Sequence, residues 1–212
     1  MRSVIGVWAL PILFVATAAI SQTEFSADVV DTQHDEAPIL FKIKVTGDRV
    51  RIEPQPPVSG PTPGPAPRAF ILINRHTQAG TVVMPAQREY IEAPAQMLQQ
   101  YRPFFEPVDL ETACVAWAQV PQHKGGICYK MGSEVVNGRK VIKYEGTSSS
   151  GDMNYFWLDQ KLGLLVKWDD QISAGELRNF TQGPQPAGLF EVPADYSKSQ
   201  QMFGVIQSAK PK

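Results

Sequence analysis

Three histidines, a run of serines, two adjacent aspartates and two cysteines are the residues of this chain whose types could do chemistry. Their spacing decides how much. His34, His76 and His123 stand far apart and match no H-E-x-x-H or similar ligand spacing, so no metal site is predicted. Ser148 to Ser150 sit in a G-T-S-S-S-G-D stretch without the strand, elbow and helix context of a G-x-S-x-G nucleophile, and read as a flexible loop. Asp169 and Asp170 look like paired carboxylates, yet neighbours on a strand point to opposite faces and cannot share one site. No G-x-G-x-x-G or Walker-type loop occurs to cradle a nucleotide. The expectation is a protein with no catalytic centre, no metal and no cofactor. Asn179 begins an Asn-Phe-Thr glycosylation acceptor, which has meaning only in a eukaryotic secretory pathway.

The compartment comes from the first residues. Arg2, an uncharged apolar run from Val4 to Ile20, and small residues at Ala18, Ala19 and Ser21 form the three-part layout of a secretory signal. A cleavable segment over residues 1–21 is predicted, with the mature chain starting near Gln22 in the periplasm or outside the cell. The run is shorter than the roughly 20 apolar residues of a membrane span and contains Gly6 and Pro11. Residues 22–212 then make one domain, large enough to bury roughly 70% of the surface its unfolded chain exposes. With 20 Lys and Arg against 21 Asp and Glu, scattered rather than clustered, nothing advertises nucleic acid or an anionic membrane surface. In an oxidising compartment Cys114 and Cys128 predict a structural disulfide, since their spacing is not that of a C-x-x-C redox pair. On the chain-entropy model that bridge stabilises by about 3 kcal/mol.

The elements that must position these residues are mostly short strands. In ILFKIKVTGDRVRIEP, Gly47 and Asp48 form a two-residue hairpin loop that sets Val45 opposite Val50, Ile43 opposite Ile52 and Lys42 opposite Glu53. Phe41, Ile43, Val45, Val50 and Ile52 share one face. Lys42, Lys44, Arg49, Arg51 and Glu53 share the other, where Lys44 opposite Arg51 implies a solvated surface. Residues 54–67 carry seven prolines and predict a loop outside any sheet, a plain connector rather than a ligand for a partner domain. Runs at Phe70 to Ile73, Thr81 to Met84 and Tyr90 to Ile91 predict meander strands.

Residues 95–119 change period. Met97, Leu98 and Tyr101 predict a short helix, Phe104 and Phe105 a kinked link, and an Asp109 N-cap a second helix bearing Leu110, Cys114 and Trp117. Strands resume near Ile127, with hairpin tips at Asn137-Gly138 and at Asp159 to Gly163. Parity across the second tip puts Tyr155, Trp157, Leu164, Val166 and Trp168 on one face, with Lys167 and Asp169 on the other. A last strand is expected near Glu176 to Thr181, and a short helix from Ser199 to Ile206. An antiparallel sheet with one apolar face must cover that face, and the helical segment is the evident lid.

Large apolar groups from several strands remain, among them Phe41, Ile43, Phe70, Tyr155, Trp157, Leu164, Val166, Trp168 and Phe180. Two readings follow: they fill a core beneath the helices, or they line an apolar cavity for a lipid-like ligand. Periodicity does not separate the two.

The export signal, the F-S-A-D-V-V opening from Phe25, the G-D-R-V-R-I-E hairpin, the segment from Gly132 to Glu145, the W-L-D-Q-K-L-G-L hairpin and the closing P-x-x-L-F-x-V-P-x-x-Y from Pro186 to Tyr196 occur in this order. Together they resemble periplasmic proteins of the outer-membrane lipoprotein carrier (LolA/LolB-like) superfold, and more narrowly a related bacterial domain family of unassigned function. The resemblance implies a mostly β, α+β chain: a half-open antiparallel β-barrel plugged by helices, with an apolar interior. It implies transport or sensing of acylated molecules. The expected function is an exported carrier or binder of a hydrophobic ligand such as an acyl chain or lipoprotein anchor. The alternative is a periplasmic sensor or protein-interaction module whose partner is another protein.

Overall fold

The computed structural model describes residues 24–33, 38–55 and 69–199. The expected signal segment, His34, residues 56–67 of the proline-rich stretch and the expected helix after Ser199 lie outside these residues. Among the described residues twelve strands form one sheet: β1 (Phe25–Gln33), β2 (Ile39–Thr46), β3 (Arg49–Gln55), β4 (Phe70–Asn74), β5 (Ala79–Met84), β6 (Glu89–Ala93), β7 (Ile127–Val136), β8 (Arg139–Thr147), β9 (Met153–Asp159), β10 (Leu165–Asp169), β11 (Ser173–Gln182) and β12 (Ser197–Lys198). The order is β12-β6-β5-β4-β3-β2-β1-β11-β10-β9-β8-β7, antiparallel throughout except where β12 runs parallel to β6. The sheet does not close on itself. β7 is one terminal strand, and the short β12 covers part of β6 at the other end.

Alternation in β1, β2 and β3 sends Phe25, Ala27, Val29, Phe41, Ile43, Val45, Val50 and Ile52 into one large core. The β2–β3 register is the expected one, Val45 with Val50, Ile43 with Ile52 and Lys42 with Glu53. Pro54 departs from the expected loop: it belongs to β3, opposite Phe41. That position tolerates a residue without an N–H because β4 pairs with β3 only from Arg49 to Ile52.

Only part of the polar face of this hairpin is solvated as expected: Arg49 is exposed, whereas Lys44, Arg51 and Glu53 are largely covered. Glu53 Oε1 accepts from Lys44 Nζ at 2.8 Å and from Arg51 Nε at 2.5 Å, and all three side chains are less than a fifth exposed. The Arg51 guanidinium lies 3.5 Å from the Phe70 ring centroid and donates to the Leu189 carbonyl at 2.8 Å. Phe70, Leu72 and Val83 form a second cluster on this reverse face, joined by Tyr90, Val192 and Tyr196. Chain after β11 therefore packs where water was expected.

The segment over residues 95–119 divides between the two faces instead of forming one layer. Helix α1 (Ala95–Gln99) and the 3-10 turn Arg102–Phe104 place Leu98, Phe104 and Phe105 in the main core. Helix α2 (Ala113–Ala118) packs Ala113 with Ile142, Tyr144 and Leu158 on the reverse face. The chain crosses between faces beside the β9–β10 turn, where Val108 N–H donates to the Gly163 carbonyl at 2.9 Å. Gly163 has φ 64°, and a Cβ there would collide with the Val108 carbonyl. Asp109 does not cap α2: its Oδ1 accepts from Glu111 N–H, Thr112 is the N-cap residue, and Leu110 lies before the helix.

The predicted disulfide is present, Cys114 to Cys128 with Cα atoms 5.3 Å apart, and ties α2 to β7. Beside it the buried Trp117 indole lies flat on Gly146 of β8, where a Cβ would overlap the ring. Gly146→Ala is expected to cost about 1–3 kcal/mol through overpacking, read as a lower urea midpoint. Replacing both cysteines by serine is expected to cost about 2–4 kcal/mol. Hydrogen exchange should then rise in α2 and β7 before it rises in β1 and β2.

Candidate functional site

Of the residues expected to line a cavity, Phe41, Ile43, Trp157, Leu164 and Val166 are buried in the main core, and Tyr155 and Trp168 pack against it half-buried. Ile43 is 0% exposed and Val166 1%, so they face their own neighbours. A chain of rings fills the space: Phe41 meets Tyr101 and Phe104, each at 5.5 Å between centroids, and Phe104 meets Trp168 at 5.3 Å. Burial pushes the Tyr101 hydroxyl above its ordinary pKa. Phe70 is not with them. It points to the reverse face, because Ile71 and Ile73 take the core-facing parity of β4.

Lys167 is also placed differently from expectation. An irregularity between Leu165 and Lys167 shifts the β9–β10 register and sets Lys167 opposite Trp157. Its Nζ stands 4.6 Å from the Trp157 ring, and Lys143 of β8 approaches the same ring at 5.2 Å. Trp157 Nε1 donates to Glu134 Oε2 at 2.8 Å. Both ammoniums lie over the face of the aromatic, where the ring quadrupole attracts them.

Beyond Trp157 the core face opens. Cross-strand partners run Tyr129, Glu145, Tyr155 in one row and Ile127, Thr147, Met153 in the next. On β7 itself Ile127 and Tyr129 are each 57% exposed, Met131 53% and Val135 68%. Sequence reasoning stopped at the start of this strand. The Ile-x-Tyr-x-Met alternation is visible, but exposure depends on β7 being terminal, which only the topology reveals.

The serines, aspartates and His123 singled out in the sequence are held by their neighbours. Ser148, Ser150 and Asp152 hydrogen-bond to one another across their loop, Ser148 Oγ lying 2.7 Å from Ser150 Oγ. His123 stacks on Trp117 with ring centroids 4.2 Å apart. Asp170 Oδ1 accepts from the Ile172 and Ser173 N–H groups of the β10–β11 turn, while Asp169 sits in the ladder opposite Tyr155. A cavity of about 570 Å³ opens where the Asn137-Gly138 tip meets β11. Its cations are committed: Arg139 binds Asp159 at 2.7 Å and covers the Phe180 ring, and Arg178 binds Glu176 at 2.6 Å.

No family model matches the sequence, and no curated protein matches it. Solved structures do. An uncharacterized conserved protein from Thermus thermophilus superposes with a TM-score of 0.51 at 12% identity, over 84% of this chain and 90% of that one. MucB superposes at 0.51 with 15% identity, over 83% of this chain, which spans 59% of MucB. MucB from the Pseudomonas aeruginosa MucA/MucB complex gives 0.50 at 16% identity, over 83% of this chain and 58% of that one. MucB has a LolA-like fold, so the resemblance read from the sequence holds for the fold.

Two carboxylates give opposite pH signatures. Asp31 Oδ1 is buried without a hydrogen-bond partner. Burial pushes this carboxyl above its ordinary pKa, and Asp170 adds to the rise against a hydrogen bond to Ser173. A raised folded pKa gives stability that is full below the unfolded value and lost as pH rises through the folded one. Asp31→Asn should therefore raise Tm at pH 7, by an amount that vanishes in acid. For Glu53, burial raises the pKa but hydrogen bonds from Lys44 and Arg51 outweigh it and hold it below the ordinary value. Its contribution is present above the unfolded value and lost as pH falls through the folded one. Glu53→Gln should cost about 1–3 kcal/mol at pH 7 and progressively less in acid. Equal Tm shifts at both pH values would contradict both assignments.

Proposed function

We propose that this chain is an exported, non-enzymatic binding protein that uses the carrier fold as a protein-interaction module. One observation carries the reading. Apart from Phe70, the residues expected to line a ligand cavity pack in or against the main core, while large apolar side chains stand exposed at the β7 end of the sheet. MucB, which shares the fold, has been solved in complex with MucA. No helix among the described residues is long and apolar enough to cross a membrane. N-terminal sequencing of protein recovered from its compartment is expected to begin near Gln22; a chain still starting at Met1 contradicts export by cleavage.

A second reading has its own support. The ring chain Tyr101, Phe41, Phe104 and Trp168 joins the segment over residues 95–105 to the sheet. If that segment swings out as a lid, an acyl chain of a lipid or lipoprotein anchor takes its place against Phe41 and Trp168.

The readings separate in one experiment. Benzoylphenylalanine is placed in turn at Val115, Tyr129, Met153 and Ile172, all exposed, and irradiated in the native compartment. The interaction reading expects a discrete protein adduct from at least one position. No protein adduct anywhere, with stoichiometric lipid in the organic extract, overturns it in favour of the carrier. Val166→Ala provides the interior control: it should cost about 1–3 kcal/mol from lost burial and a cavity and leave the adduct yield unchanged. Loss of a co-purifying lipid in that variant would instead support the carrier.

A further inference from the structure

We propose that β7 is a strand-addition site, which takes one extended segment of a partner protein, alternating apolar and acidic residues, as an added strand. The proposal rests on the interaction reading and names its surface and its partner's chemistry. β7 is ten residues long and, among the described residues, pairs only with β8. Its other side presents backbone donors and acceptors, and such an edge is a template for another chain. The opposite end of the sheet carries the usual protections: β12 is two residues long, and its Lys198 pairs with Glu92. β7 has a single irregularity between Lys130 and Gly132 and otherwise displays Ile127, Tyr129, Met131 and Val135 to solvent.

The two faces of β7 specify what fits. Ile127 and Tyr129 pair with Thr147 and Glu145 on the core face, beside Met153 and Tyr155, and suit apolar guest side chains. Cys128 and Lys130 pair with Gly146 and Tyr144 on the reverse face. Lys130 holds Glu111 at 3.0 Å in an exposed pair. Such pairs contribute little, so a guest carboxylate exchanges for Glu111 at small cost. The β7–β8 hairpin carries four cations, Lys130, Arg139, Lys140 and Lys143, against Glu134 and Glu145, in a chain of net charge -1. With Lys130 and Lys140 on the reverse face of the hairpin and Ile127 and Tyr129 on its core face, the edge selects a segment that is acidic on one side and apolar on the other. The disulfide at Cys128 fixes β7 to α2, so the edge is ordered before the guest arrives.

The test uses the intact, disulfide-bonded protein and a capped peptide of about eight residues alternating valine and glutamate. Amide NMR should show shifts centred on β7, with slowed exchange at alternate β7 amides. The same peptide N-methylated on every residue, and a valine-lysine counterpart, should bind at least about tenfold more weakly. Tyr129→Lys, at an exposed position, should weaken binding without lowering Tm. Silence of β7 up to about 1 mM peptide, or equal binding of the N-methylated peptide, overturns the proposal. If the cross-linking scan still yields a protein adduct, the interaction reading survives and only the edge site falls; if it yields lipid alone, both fall.

Discussion

The fold depends on β1 lying between β2 and β11. It pairs with β2 from Phe25 to Asp31 and with β11 from Phe25 to Gln33, and so joins the meander of β2 to β6 to the late strands β7 to β10. Without it there would be two sheets, each with an uncovered edge. The second pairing brings together residues some 140 positions apart, and such contacts are slow to form because the loop between them must close first. Local chemistry secures the join. Asp28 is held by Lys42 of β2 at 2.5 Å and by Asn179 of β11 at 2.7 Å. Burial raises its pKa, and the bonds to Lys42 and Asn179 more than reverse this. Asn179 reaches that position with φ 51°, opposite the break in the β1–β11 register. Asparagine tolerates this conformation better than other side-chain-bearing residues do.

Both faces of the joined sheet then need cover, and a chain this short must provide it from one insertion and one tail. The insertion serves both faces because it crosses at Val108 and Gly163, with Phe105 entering the main core before the crossing and Ala113 the reverse cluster after it. The tail covers β3 to β5 on the reverse face, and its cost is a charge that must leave water. Glu53 meets that cost by accepting from two cations at once.

Much of this was legible in the residues and some could not be. The hairpin tips at Gly47-Asp48, Asn137-Gly138 and Asp159 to Gly163 are local turn chemistry, and a tip fixes its register. The β2–β3 pairs followed directly. Failures came where distant chain decides. Phe70 belongs to a continuous apolar run, Phe-Ile-Leu-Ile, in which no alternation tells one face from the other. Lys167 was assigned by parity, and one register shift reverses parity. Lys44 and Arg51 were read as wet because nothing near them announces that Leu189 will sit above. β1 escaped as an element even though Phe25, Ala27 and Val29 alternate with Ser26 and Asp28, since a strand without a hairpin partner next to it lacks a turn to mark it.

The row of Lys143, Trp157 and Lys167 divides the core face into a filled part and an open part. On one side lie Val166, Leu164 and the rings of Phe41 and Phe104, which exclude water by packing against one another. On the other lie the exposed Tyr129, Met153 and Ile127, reached by no helix of the insertion, since α2 has crossed to the reverse face before the chain arrives at β7. The Trp157 N–H, bonded to Glu134, and the two ammoniums over its ring make that boundary polar. A sheet that remains unclosed can keep a dry core and still offer an edge, provided that the boundary between them is built from side chains with an apolar stem and a charged tip.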